Sequence, residues 1–184
     1  MNNRVKTLCE AAMMVALALI LELIVLYKLP NGGTVTFSAL PIVFFAIRHG
    51  AGWGAMAGFV FGGLNYMMGG QAIDWTTIIC DYFLAFSMLG LGAGLFKGRK
   101  AAPYLGSILG VALQFLASYL VGVFVWGKWM PDAFLGMTMT SPWFYSFLYN
   151  ILWAGPDLLL CLVGFALLGR VGAMRRYLLR EDLK

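Results

Sequence analysis

Long apolar runs separated by short polar stretches set the pattern of this chain. Six runs stand out, at residues 6–27, 36–48, 51–69, 75–97, 103–127 and 142–169. All but the second are about long enough to cross a bilayer, since ~20 helical residues at ~1.5 Å each span ~30 Å of hydrocarbon. The pattern predicts an all-α integral membrane protein with six transmembrane helices, a single domain over 1–184 that ends in an amphipathic tail at 171–184. The second run is different, because from Ser38 to Arg48 a helix rises only ~16 Å. The stretch before it, Tyr27 to Phe37 (YKLPNGGTVTF), holds a proline, an Asn-Gly-Gly turn and two threonines. It either dips into the outer leaflet as a re-entrant, lid-like loop that walls a pocket, or stands above the membrane as a plain polar hairpin. Backbone outside a helix is tolerated at membrane depth only where protein covers it or a wet cavity meets it.

The positions of Lys and Arg orient the bundle. With both termini cytoplasmic, the inner side holds Arg4, Lys6, Arg48, Lys97, Arg99, Lys100, Arg170, Arg175, Arg176, Arg180 and Lys184, and the outer side only Lys28 and Lys128. That asymmetry fits the positive-inside rule, and removing the second crossing would destroy it. Composition agrees with lipid as the outer solvent: 61% of residues are hydrophobic and 11% charged, and the mean hydropathy is +0.83. The net charge of +5 is then read as topology in a cell membrane, not as a surface for nucleic acid. Cys9, Cys80 and Cys161 stand apart with no C-x-x-C spacing, which suggests packing residues and neither a metal site nor a disulfide framework. The first run is of full-span length without a clear cleavage site, so no removable signal peptide is expected.

Ionisable groups at membrane depth are costly and point to function. Glu181 and Asp182 fall in the tail, Asp74 and Asp132 in outer loops and Glu10 near the inner boundary, which leaves Glu22, Asp81 and Asp157. Counting ~1.5 Å per residue from the helix ends puts Glu22, Asp81, Tyr145 and Asn150 in one outer-leaflet layer ~8–12 Å deep, with Tyr82 beside Asp81. Asp157, after Gly155-Pro156 at an expected kink, counts as deeper, past the midplane. Trp75, Trp126, Trp129 and Trp143 gather near the outer boundary, where an aromatic belt is expected and where a flat ligand finds rings to stack on. Carboxylates, an amide, phenols and indoles in one layer suit a flat cation able to hydrogen-bond. The plainer alternatives are a Glu22–Lys28 pair, and helix-to-helix hydrogen bonds for Asp81 and Asp157.

Small residues recur every four positions at Ala12 and Ala16, at Gly54, Gly58 and Gly62, and at Gly90 and Gly94, and such faces allow close helix contact. Ala12 and Ala16 lie away from the polar layer, where they could meet another subunit. No G-x-x-x-x-G-K-[ST] motif is present, so ATP hydrolysis by the P-loop route is excluded for this chain. The single histidine, His49, reads as a solvated loop residue, which argues against zinc-protease and Ser-His chemistry. No enzyme activity, metal or cofactor is expected.

Three stretches, LPNGGTVTFSALPIVFFAIRHG, GAMAGFVFGGLNYMMGG and DYFLAFSMLGLGAGLF, resemble the thiamine-specific S-components of energy-coupling factor transporters, and the similarity runs from EAAMMVALA to the last helix. The resemblance implies six helices and an outward-facing thiamine (vitamin B1) site lidded by the loop between helices one and two, here Asn31, Gly32, Gly33 and Thr34. It also implies assembly with a transmembrane coupling protein (the T component) and two ATPase subunits, docked through the Ala12 and Ala16 face. Residue by residue, Asp81 stands where a family member has glutamate, Tyr82 follows it, Trp126 aligns with a ligand-stacking tryptophan, and Tyr145 and Asn150 keep a family spacing. Ser118 replaces a histidine, and no tryptophan lies between Lys28 and Phe37, where the family lid carries one. The expected ligand set is Asp81, Tyr82, Trp126, Tyr145, Asn150, Ser118 and Glu22. The alternatives are an S-component for another vitamin or precursor and a proton-coupled transporter working through Glu22 or Asp157.

Overall fold

The computed structural model describes residues 3–171, so the tail expected at 171–184 lies, but for Val171, outside the described residues. Six helical segments follow one another: α1 Asn3–Glu22, α2 Ala39–His49, α3 Ala51–Met67, α4 Trp75–Gly94, α5 Ala102–Phe124 and α6 Pro142–Leu168. Two small antiparallel hairpins lie in the connections. β1 (Tyr27–Lys28) pairs with β2 (Thr34–Val35) before α2, and β3 (Ala133–Phe134) pairs with β4 (Met137–Thr138) before α6. Helices α4, α5 and α6 are each long and apolar enough to cross a membrane, as befits a multi-pass membrane protein.

The short helix α2 sits at the centre. Ile42, Val43, Phe44, Phe45, Ala46 and Ile47 are all buried, and α2 packs against each of the other five helices. A helix that is apolar all round is one surrounded by other elements. This accounts for its length: protein, not lipid, covers its ends, so it need not match the thickness of a hydrocarbon core.

The glycine faces pack on each other. A side chain on Gly54, Gly58 or Gly62 of α3 would run into the α4 backbone at Gly90, Phe86 and Tyr82. Removing the side chains brings the two backbones together, which is how helices in lipid gain contact without a hydrophobic driving force.

Three sequence expectations change. First, α1 stops at Glu22 and does not run on to Tyr27. The chain there turns into β1, where Leu26 N–H donates to Val35 C=O at 3.0 Å. Second, α4 is not one regular helix: an α-turn at Trp75–Thr77 leads into a π-helical segment, Ile78–Leu84, before α-helix resumes at Ala85–Gly94. The start is fixed by a capping box in which Asp74 accepts from Thr77 N–H at 2.9 Å while Thr77 Oγ1 accepts from Asp74 N–H at 3.2 Å. Third, His49 is not a solvated loop residue. It ends α2 with its Nε2 at 2.6 Å from Glu10 Oε2, beside the buried Arg48, whose Nε is 3.3 Å from the same oxygen. Burial of Glu10 draws both partners inward, because a carboxylate removed from water needs donors around it.

Candidate ligand-binding site

Much of the wall comes from one face of α6. Ser141 caps the helix, its Oγ accepting from Phe144 N–H at 3.3 Å, and Pro142 occupies the first turn, where its missing N–H costs nothing. From there Tyr145, Tyr149, Trp153 and Asp157 recur every four residues, with Ser146 and Asn150 alongside, and all six line a single cavity. Such spacing stacks side chains on one helix face. Within the stripe, Asn150 is buried. Its Nδ2 donates to Ser146 C=O at 2.8 Å, and its Oδ1 accepts from Trp153 Nε1 at 3.0 Å.

Helix α5 adds Gln114, Ser118 and Gly122 at the same four-residue interval. Gln114 is buried and faces the cavity. The π segment of α4 contributes Asp81 and Tyr82. A π insertion shifts side-chain direction relative to a regular helix and is frequent at functional sites. Here it brings Asp81 opposite the turn after α5, where Trp126 Nε1 donates to Asp81 Oδ2 at 3.0 Å. Tyr82 donates its hydroxyl to Gln71 C=O at 3.0 Å. The cavity has a volume of about 150 Å³.

The α1–α2 loop forms the remaining side. Thr34 Oγ1 and Thr36 Oγ1 donate to the two Glu22 carboxylate oxygens at 2.9 and 2.8 Å. Thr36 N–H donates to Asp157 Oδ1 at 3.1 Å. Gly33 N–H donates to the Tyr149 hydroxyl at 2.9 Å, and the same hydroxyl donates to Pro30 C=O. Leu29, Val35, Thr36 and Ser38 are buried. A plain hairpin standing clear of the protein does not fit these contacts, whereas backbone satisfied by α1 and α6 does. Glu22 is engaged by the loop's threonines, not by Lys28, which is exposed.

All seven residues singled out as ligand contacts, Glu22, Asp81, Tyr82, Ser118, Trp126, Tyr145 and Asn150, line this one cavity. So do Gly32, Gly33 and Thr34 of the loop, while Asn31 belongs to its 3-10 turn, Pro30–Gly32. Ala12 and Ala16 lie elsewhere, exposed on α1. The depth count separated Asp157 from the others, but the loop descends to meet it. Residues not foreseen include Tyr149, Trp153, Ser146, Gln114, Asn65 and Gln71. The four-residue polar stripe on α6 was the available signal for the first three, and an amide in the apolar middle of α5 for the fourth. Of the four tryptophans grouped by sequence, only Trp126 reaches the cavity; Trp75, Trp129 and Trp143 are exposed.

Comparison with known proteins gives a consistent result. The thiamine transporter ThiT of Bacillus subtilis is 26% identical over 183 residues, covering 91% of this chain and 92% of that protein. ThiT of Lacticaseibacillus paracasei is 25% identical, covering 81% of this chain and 79% of the other. A solved structure of ThiT from Listeria monocytogenes has the same fold, with a TM-score of 0.82 over 95% of this chain and 98% of that one at 23% identity. The family model described as thiamine transporter protein (Thia_YuaJ) matches residues 8–174, and the chain belongs to that family.

Proposed function

We propose that this protein is the thiamine-binding S-component of an energy-coupling factor importer. Its six helices cross the cell membrane with both termini cytoplasmic, and its cavity opens to the outside. In this reading Asp81 faces the thiazolium charge, Trp126 stacks on an aromatic ring, and Tyr82, Tyr145 and Asn150 receive the polar edge of the aminopyrimidine. Ser118, Glu22 and the amide of Gln114 complete the wall. The loop Asn31–Thr34 closes over the ligand, Ala12 and Ala16 dock the T component, and two ATPase subunits supply the energy for release inside.

The observation that carries this reading is the Asp81–Trp126 pair, a carboxylate and an indole 3.0 Å apart on a cavity wall in a chain of the thiamine transporter protein family. A carboxylate supplies the counter-charge and an indole face the cation–π attraction that a flat organic cation needs. Titrating the purified protein with thiamine should quench tryptophan fluorescence saturably, and riboflavin, pyridoxine and biotin should not compete. A folded protein whose fluorescence does not respond to thiamine overturns the reading. Uptake in cells that persists without the ATPase subunits would instead support a proton-driven carrier.

A further inference from the structure

The α1–α2 loop is held at two levels by different chemistry. Its base is fixed by carboxylates: Glu22 takes the hydroxyls of Thr34 and Thr36, and Asp157 takes the Thr36 N–H. Its tip has far less. Within the loop, the β1–β2 ladder pairs only Tyr27 with Val35 and Lys28 with Thr34, and Leu29 N–H closes on Gly33 C=O at 2.7 Å. A two-residue ladder has marginal stability of its own.

Gly32 at the tip packs against Gln71 and Leu29 is buried in the core, but among the described residues the hydrogen bonds that tie the tip to the bundle run to one phenol. The Tyr149 hydroxyl accepts from Gly33 N–H at 2.9 Å and donates to Pro30 C=O, so one oxygen grips both ends of the turn Pro30–Gly32. A phenol has one donor and acceptor capacity to spare, which makes this double grip possible. The ring is braced by Tyr145 and Phe134, with centroids 5.9 and 6.1 Å away, and Tyr145 is itself a wall of the cavity.

We infer that Tyr149 is a positioning residue that latches the tip of the α1–α2 loop over the cavity, setting how long a bound ligand stays. The kinetic half of this inference rests on the proposed thiamine site; the latch itself does not. The test therefore begins without ligand. In Tyr149→Phe, which removes only the hydroxyl oxygen, hydrogen–deuterium exchange of residues 29–35 should speed up about tenfold while residues 42–47 stay unchanged. Stopped-flow fluorescence should then show thiamine leaving about tenfold faster with its on-rate changed by less than about twofold. Gly33→Ala attacks the same contact from the loop side, since its Cβ would lie 2.9 Å from the Tyr149 hydroxyl, and should reproduce both effects.

Unchanged exchange at 29–35 in both variants overturns the latch, whatever thiamine does. Faster exchange at 42–47 as well would make Tyr149 a general packing residue and overturns it too. A weaker affinity carried wholly by the on-rate, with loop exchange unchanged, would make Tyr149 a ligand contact and not a latch. Faster loop exchange in a protein that never binds thiamine would sustain the latch and sink the proposed function alone.

Discussion

Replacing Asp81 with Asn changes one property of the cavity and leaves the rest in place. Asn retains an oxygen that can accept from Trp126 Nε1, now 3.0 Å from Asp81 Oδ2, so the indole keeps its orientation while the negative charge is lost. A unit cation about 4 Å from the carboxylate is attracted by about 4 kcal/mol at an effective dielectric constant of about 20. Part of that attraction is offset by stripping water from both ions. A net loss of about 2–3 kcal/mol is expected, which corresponds to about a 30- to 150-fold rise in Kd for thiamine. Isothermal titration calorimetry of the two proteins measures it directly. The control is a thiamine analogue carrying an uncharged ring in place of the thiazolium, whose affinity should fall by less than about threefold. Equal losses for both ligands would refute the reasoning, because Asp81 would then be serving as a hydrogen-bond acceptor for the pyrimidine. A loss of under about threefold for thiamine would refute it as well.

The packing invites further tests. Gly58→Ala puts a Cβ 3.1 Å from Ser87 N and closer still to the Phe86 carbonyl, so it should cost at least about 2 kcal/mol by thermal unfolding in detergent. Gly155→Ala meets nothing within 4 Å and should be neutral or stabilising by up to about 1 kcal/mol in the same assay. Glu10→Gln leaves the buried Arg48 without its carboxylate partner and should lower stability by about 3 kcal/mol, with thiamine affinity unchanged because Glu10 lies outside the cavity wall. Asp157→Ala strands the buried Thr36 N–H, which should cost about 1–3 kcal/mol and speed hydrogen exchange at Thr36.

The alternation of apolar and polar stretches located the helices because burial in lipid or protein demands continuous apolar runs whatever the tertiary detail. Helix ends were less legible. Nothing local in LELIVLYK marks Glu22 as a terminus; the helix stops there because Val35, nine residues beyond Leu26, supplies the hydrogen-bond acceptor. The π segment around Asp81 was hidden for a similar reason. IICDYFL reads as ordinary helix, and the insertion becomes evident only once Asp74 and Thr77 fix the start and Trp126 meets the carboxylate. Asp157 was set apart by a depth count along the helices, which said nothing of how far the loop descends to reach it. Contacts contributed by backbone, such as the amide of Thr36, leave no mark in residue type.

The stripe on α6 joins these observations. Tyr145 and Asn150 face the cavity, whereas Tyr149 and Asp157 face it and also hold the loop. Wall and cover are therefore anchored on one helix, and Asn150 is tied within it by Ser146 and Trp153. The loop has no tryptophan to press on a ligand; its tip is secured through backbone groups at Pro30 and Gly33. Backbone contacts carry no side-chain specificity, so under the proposed function the tip could leave and return without moving Asp81, Trp126 or Asn150, whose hydrogen bonds do not involve it. In that reading, opening the tip would cost the Tyr149 contacts and the Gly32–Gln71 packing, while the carboxylates at the base would keep the loop in register for closing. Under the proposed function, a loop held in this way would set how long a ligand stays through Tyr149, while the helix-borne groups Asp81, Trp126 and Asn150 keep their places on the wall.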